Sequence, residues 1–262
     1  MAFDINNFVI DRVIRGVALS QKDDSVLFSI NQMQNVSLNC ASESTDAVDA
    51  LGTPIATFYR AKSAEFSAEN AIFDMNLMAT QLGADKKVAS ADAKIVAPAM
   101  ESFVYGNGSY ELKHTPKVAP NEIYILNGDS TFGKKFTKAT SAASATEFAI
   151  TNKTLALPTG LNADDELFVM YDYETDSAVE VVNSATKFPV GCKFIMEVLG
   201  CDVCDQTTLI HCYLIFPNFK LSPDFDWSVA TDGAHPFSGK AQQAYCDKEK
   251  KLFSIIIPEE KD

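Results

Sequence analysis

Apolar and polar positions alternate along much of the chain, most regularly in its last quarter. In Lys193–Leu199, Phe194, Met196 and Val198 share one face while Lys193 and Glu197 share the other, the period-2 pattern of a half-buried strand. Leu209–Phe216 is apolar or aromatic on both faces and runs into Pro217-Asn218, which predicts a strand covered on both sides or pressed against another chain. Phe225–Val229 alternates again, and Leu252–Ile257 closes the set before Pro258. Together these four segments predict an antiparallel meander.

Toward the N-terminus, Ser25–Ile30, Val36–Cys40 and Pro54–Tyr59 read as short strands, and the polar stretch Ala41–Ala50 reads as a surface loop with nothing to anchor a core. One helix is expected. Ser67 is a suitable N-cap, Ala68, Ala71, Ile72, Met75, Met78, Ala79 and Leu82 fall on one helical face, and Gly83 can take the C′ position. The methionines of that stripe read as core filling rather than a ligand surface.

From Ile95 to Ala185 the texture changes to short β-like runs: Ile95–Val96, Ser102–Val104, Tyr110–Leu112, Ile123–Leu126, Glu147–Ile150, Leu155–Leu157 and Leu167–Tyr173. Turn signals separate them at Gly106-Asn107-Gly108, Pro120-Asn121, Asn127-Gly128 and Pro158-Thr159-Gly160, a spacing typical of a β-sandwich. The Ala/Ser/Thr-rich Thr137–Thr146 reads as an exposed loop. The pattern predicts a discontinuous β domain, residues 1–94 and 186–262, into which a small all-β domain, 95–185, is inserted.

Two stretches carry a family resemblance. The order of an apolar strand, Phe216-Pro217-Asn218, Asp224-Phe225-Asp226-Trp227-Ser228, the Thr231-Asp232-Gly233 turn and a last hydrophobic strand resembles the C-terminal half of bacteriophage major tail tube proteins. The run Leu51–Ala89, with its AEFSAEN segment, resembles the strand-plus-helix part of the same fold. The resemblance implies a tail-tube-type β-sandwich or barrel with one α-helix, and an immunoglobulin-like character for the inserted domain. It also implies a virion structural protein, assembled in the host cytoplasm, that forms stacked, hexameric rings with itself, meets other tail proteins and lets DNA pass through its lumen without specific binding. A capsid decoration, head–tail connector or baseplate protein is the competing reading of the same β texture.

With 262 residues, 47% hydrophobic and 22% charged, the chain can bury a sizeable core. No apolar run approaches the roughly 20 residues that span a bilayer, and the N-terminus lacks the basic-then-apolar order of a signal peptide, so a cytosolic product with no membrane partner is expected. The formal charge of −13 argues against phosphate-binding and suits a surface that DNA passes without sticking, although it equally suits plain solubility. Glu197 and Asp226, on the polar face of the expected meander, are the candidates for lumen-facing acids.

Chemical motifs are sparse. Cys201-Asp202-Val203-Cys204 is a Cys-x-x-Cys with His211-Cys212 downstream, but a second Cys-x-x-Cys or spaced His pair is missing, and consecutive strand residues point to opposite faces. Cys40, Cys192, Cys201, Cys204, Cys212 and Cys246 are expected to be reduced thiols, as a large unsecreted chain implies. His114, His211 and His235 are scattered, and no nucleophile elbow, phosphate loop or His-Glu-x-x-His is present. Asp224, Asp226 and Asp232 lie close together without EF-hand spacing, and Asp164-Asp165-Glu166 and Glu259-Glu260 read as solvated surface. The expectation is a non-enzyme with no catalytic residues, no cofactor and no metal.

Overall fold

The computed structural model describes residues 5–106, 108–141, 143–245 and 248–259; Asn107, Cys246 and Glu260 lie outside the described residues. In chain order the elements begin with β1 (Phe8–Ser20), β2 (Val26–Ile30), β3 (Met33–Val48), β4 (Pro54–Asn70) and helix α1 (Met75–Leu82). Next come β5 (Lys87–Val88), β6 (Ile95–Val104), β7 (Ser109–Glu111), β8 (Glu122–Leu126), β9 (Phe132–Lys138), β10 (Glu147–Thr151), β11 (Thr154–Ala156), β12 (Glu166–Thr175) and β13 (Val179–Glu180). The last four are β14 (Gly191–Asp202), β15 (Asp205–Leu221), β16 (His235–Ala241) and β17 (Ser254–Ile256). The protein is therefore mainly β, and α1 is the one helix among the described residues. Its chain divides into two units, Met1–Lys86 with Val181–Asp262, and Lys87–Glu180.

The discontinuous unit is built on an antiparallel sheet in the order β2-β1-β14-β15-β16-β4-β3, with β17 added beside β15. Every second residue of β14 (Cys192, Phe194, Met196, Val198) is buried, as the alternation predicted. Phe66 on β4 meets Phe194 on β14 at 5.3 Å between ring centroids, although β15 and β16 stand between those strands in the sheet, so the sheet curls over its own core. Phe28, Phe66, Phe194, Phe216, Phe219, Phe237 and Leu77 of α1 fill that core. Each buried phenylalanine contributes about 1.5–3 kcal/mol of transfer free energy. Gly239 keeps β16 close to β15, because a Cβ there would stand 2.4 Å from the Phe219 ring.

Four expectations change here, each for a local reason. Ser67–Asn70 belongs to β4: Ala64, Phe66, Ala68 and Asn70 alternate into the core while the strand is paired on both sides, by β3 and β16. The helix accordingly starts later, with Asp74 as N-cap accepting from the Asn76 and Leu77 N–H groups at 2.9 and 2.7 Å. Ala41–Ala50 is largely strand, since β3 runs to Val48. The strand ending expected at Phe216 continues to Leu221. Pro217 is tolerated because β17 pairs only up to Ile215, β16 only from Phe219, and β15 itself is bulged there, Pro217 and Asn218 lying opposite the single Lys193 of β14. Finally, Phe225–Val229 is not a strand: Trp227 stacks on Phe73 and Phe225 approaches His235, and the expected third strand of the meander is supplied by His235–Ala241 instead.

The Lys87–Glu180 unit has its own core of Ile123, Phe136, Phe148, Leu155, Leu167 and Val169. Its strands pair as β6-β12-β8-β9-β10-β11-β7, all antiparallel except β9 with β10, which are parallel. The two end strands meet through side chains: Phe103 of β6 stacks on Tyr110 of β7 at 3.6 Å. Beneath that stack the buried Glu101 carboxylate accepts from the Tyr110 hydroxyl at 3.1 Å, the Lys113 N–H at 3.0 Å and the Tyr171 hydroxyl. Burial, with Glu101 as acceptor, raises the pKa of both tyrosines. At the ends of the unit β5 and β13 pair, Lys87 opposite Glu180.

Candidate functional surface

The most distinctive surface belongs to β3 and β4. β16 pairs with β4 only at Glu65–Asn70, so from Ala41 and Ser63 outward the two strands form a free two-stranded ribbon. Every residue of Asn39–Val48 and Pro54–Ser63 is exposed. At the tip the Asp49 carboxylate accepts from the Leu51 and Thr53 N–H groups at 2.8 and 2.9 Å, which lowers its pKa, and Gly52 takes the positive φ the turn needs. This arm carries apolar side chains into solvent: Leu51 is 91% exposed, Ile55 and Tyr59 71%, and Phe58 56%. Arg60 and Lys62 stand beside them on either side of a bulge at Ala61, where φ is +48°. An isolated two-stranded ribbon is marginal in water, and exposed aromatics on one point to a covering partner.

Further along β4, where β16 pairs with it, lies a crease floored by Glu69 and Pro236 and walled by the irregular segment that holds Asp224 to Ala234. Asp224, Asp226 and Asp232 line it, and among the described residues none of the three has an ion-pair partner; nor do Arg60 and Lys62, although Arg60 stands opposite Glu43 in register. Trp227, Phe73 and His235 form a three-ring stack at its edge, with centroids 4.5 and 5.2 Å apart. His235 itself is buried, its Nε2 2.8 Å from Gln81 Oε1 and its Nδ1 facing the Asp74 N–H, and burial lowers its pKa.

The outer face of β1, β14 and β15 holds a compensated charge cluster. Glu197 is bridged by Arg15 Nε at 2.6 Å and by His211 Nδ1 at 2.9 Å, with Tyr213 stacked beyond His211. The two acids singled out in the sequence are thus set apart: Glu197 is on a strand and largely shielded, whereas Asp226 is on the irregular segment, exposed, and off the meander on which it was expected. The alternation of β14 revealed the face of Glu197. Its Arg15 partner depends on the distant β1 pairing, which no local pattern signals.

Cys201 is the penultimate residue of β14 and Cys204 sits in the tight turn to β15, where Asp202 Oδ1 accepts the Cys204 N–H at 2.7 Å. Cys212 is buried against the core and His211 points the other way, as consecutive strand residues must. Cys40, Cys192, Cys201, Cys204 and Cys212 are free thiols, and burial pushes Cys192 up to about 12. Among the described residues no group of three His, Cys, Asp or Glu side chains is placed to hold a metal ion. His114 stacks on Tyr173 at 3.8 Å, far in sequence from the other histidines and in the other unit.

A curled antiparallel sheet extended by an uncovered ribbon defines a mainly β protein with an arm. The chain belongs to the YomU/Tube protein family, whose model matches residues 8–252, and is a phage tube-like structural protein. The tail tube resemblance read from Leu51–Ala89 and the C-terminal run holds at family level, and the match passes through both units. No curated protein matches the chain. No helix among the described residues is long and apolar enough to cross a membrane.

Proposed function

We propose that the chain is a tail tube subunit of a phage virion: copies close side by side into rings, hexameric by the tail tube resemblance, and the rings stack into a tube with other tail proteins at its ends. The observation that carries this reading is the arm, a ribbon with Leu51, Ile55, Phe58 and Tyr59 in solvent, which a solitary protein would not sustain and an assembling one covers. Closure of strands between neighbours removes sheet edges, and stacking then buries what protrudes. The acidic balance of −13 suits a channel wall that repels the phosphate backbone, so duplex DNA passes without being held. Assembly in the host cytoplasm goes with this reading. Electron microscopy of the purified protein tests it: six-fold rings and tubes that leave linear duplex unretarded at low salt are expected. Discrete monomers or trimers at every concentration would sink it and favour a decoration or connector protein.

A further inference from the structure

The arm and the crease further along β4 carry matching chemistry, yet they cannot meet within one chain. The backbone of β4 rises about 3.3 Å per residue, which puts Arg60 roughly 30 Å from Glu69, and pairing with β3 keeps the ribbon extended along that length. We propose that the arm of one copy docks, through Phe58, Arg60 and Lys62, into the crease of a second copy formed by Glu69, Asp224, Asp226 and Asp232 beside Trp227. The proposal rests on the self-assembly reading above and adds the acceptor surface.

Charge complementarity selects this crease. Arg60 and Lys62 reach into solvent without an ion-pair partner among the described residues, and the crease gathers Asp224, Asp226 and Asp232 in the same condition. The other polar face, around Glu197, is already neutralised by Arg15 and offers the arm's cations nothing. Trp227, 38% exposed and stacked on Phe73, gives Arg60 an aromatic face and Phe58 an apolar one. Because donor and acceptor are different patches of one chain, the contact is head-to-tail, and between stacked rings it repeats along the tube axis. Successive copies are then displaced by a distance on the order of 30 Å, the reach of β4 from Glu69 in the crease to Arg60.

The test uses the full chain and a charge swap. Arg60→Glu with Lys62→Glu reverses the arm, and Asp226→Lys with Asp232→Lys reverses the crease. All four side chains are exposed, so an unchanged Tm is expected and verifies that each variant is folded. In sedimentation velocity at low salt, each reversal is expected to cut stacking by about tenfold or more, as like charges face each other. The four-fold variant, and an equimolar mixture of the two reversals, are expected to stack again. A photo-crosslinker at Tyr59 in the otherwise native chain is expected to capture a peptide from Ser222–Ala234 of another copy. Rings that stack as well after either reversal, or a charge swap that restores nothing, would overturn this contact while leaving the tube reading intact. So would crosslinks confined to other segments, whereas native rings that never stack would overturn the tube reading along with the contact. A native chain that stays monomeric would overturn both.

Discussion

His235 shows how much at the residue scale depends on partners remote in sequence. The ring is buried beside Gln81 and Asp74, and these contacts fit the neutral tautomer in which Nε2–H donates to Gln81 Oε1 and Nδ1 accepts the Asp74 N–H. Burial lowers its pKa below the ordinary 6.5, with the Asp74 charge opposing the shift. Below that value the unfolded chain takes up a proton that the folded chain resists. The stability this ring contributes is therefore complete above about pH 6.5 and declines as pH falls toward the lowered folded value. The Tm of the native protein is expected to drop between roughly pH 7 and pH 5 more than that of His235→Gln, which has no imidazole to charge. Parallel curves for the two proteins would show that acid acts elsewhere. In the sequence His235 reads as one of three scattered histidines, because nothing local to it announces Gln81, whereas the face of Glu197 is plain from its neighbours Phe194, Met196 and Val198.

At the scale of elements, periodicity succeeds where one face is buried and fails where none is. The strands β8, β10, β11 and β12 fall where alternation puts them, since each presents one face to a core. β3 beyond Asn39 has no such pattern: its residues touch no core in the single subunit, so selection for alternation is absent and ASESTDAV reads as loop. The stretch Ser67–Leu82 misleads for the opposite reason. Ala68, Met75, Met78 and Leu82 fit a helical stripe, but strand pairing on both sides of Ser67–Asn70 overrides it. The C-terminal end of that helix was legible. Gly83 has φ +62°, its N–H reaches back to the Ala79 and Thr80 carbonyls, and a Cβ would lie 2.2 Å from the Phe188 carbonyl oxygen. Gly83→Ala is therefore expected to cost about 1–2 kcal/mol for the left-handed backbone alone, and more once Phe188 has to move. Chemical denaturation measures this, and a variant as stable as the native protein would mean that α1 ends differently.

For the whole molecule, the division into two units has a mechanical consequence. Each hydrophobic cluster lies wholly within one unit, Phe28 to Phe237 in one and Phe103 to Tyr171 in the other. The chain enters and leaves the Lys87–Glu180 unit on adjacent strands, because Lys87 is the cross-strand partner of Glu180 and Val88 of Val179, with Lys87 Nζ 3.0 Å from Glu180 Oε2. Directly opposed residues have Cβ atoms about 5 Å apart, a gap that a short flexible linker spans with little closure entropy. Removing Lys87–Glu180 and joining Lys86 to Val181 through a few Gly/Ser residues is expected to leave a protein that melts cooperatively and keeps its curled sheet, since that sheet gives up no strand pairing. The excised unit is likewise expected to fold alone, closed by Phe103, Tyr110 and the buried Glu101. Calorimetry on both fragments decides the matter: a shortened chain without a cooperative transition would mean that the curled sheet draws stability from the other unit. If the shortened chain also forms tubes, the arm and the curled sheet suffice for assembly, and the Lys87–Glu180 unit is an addition to that framework.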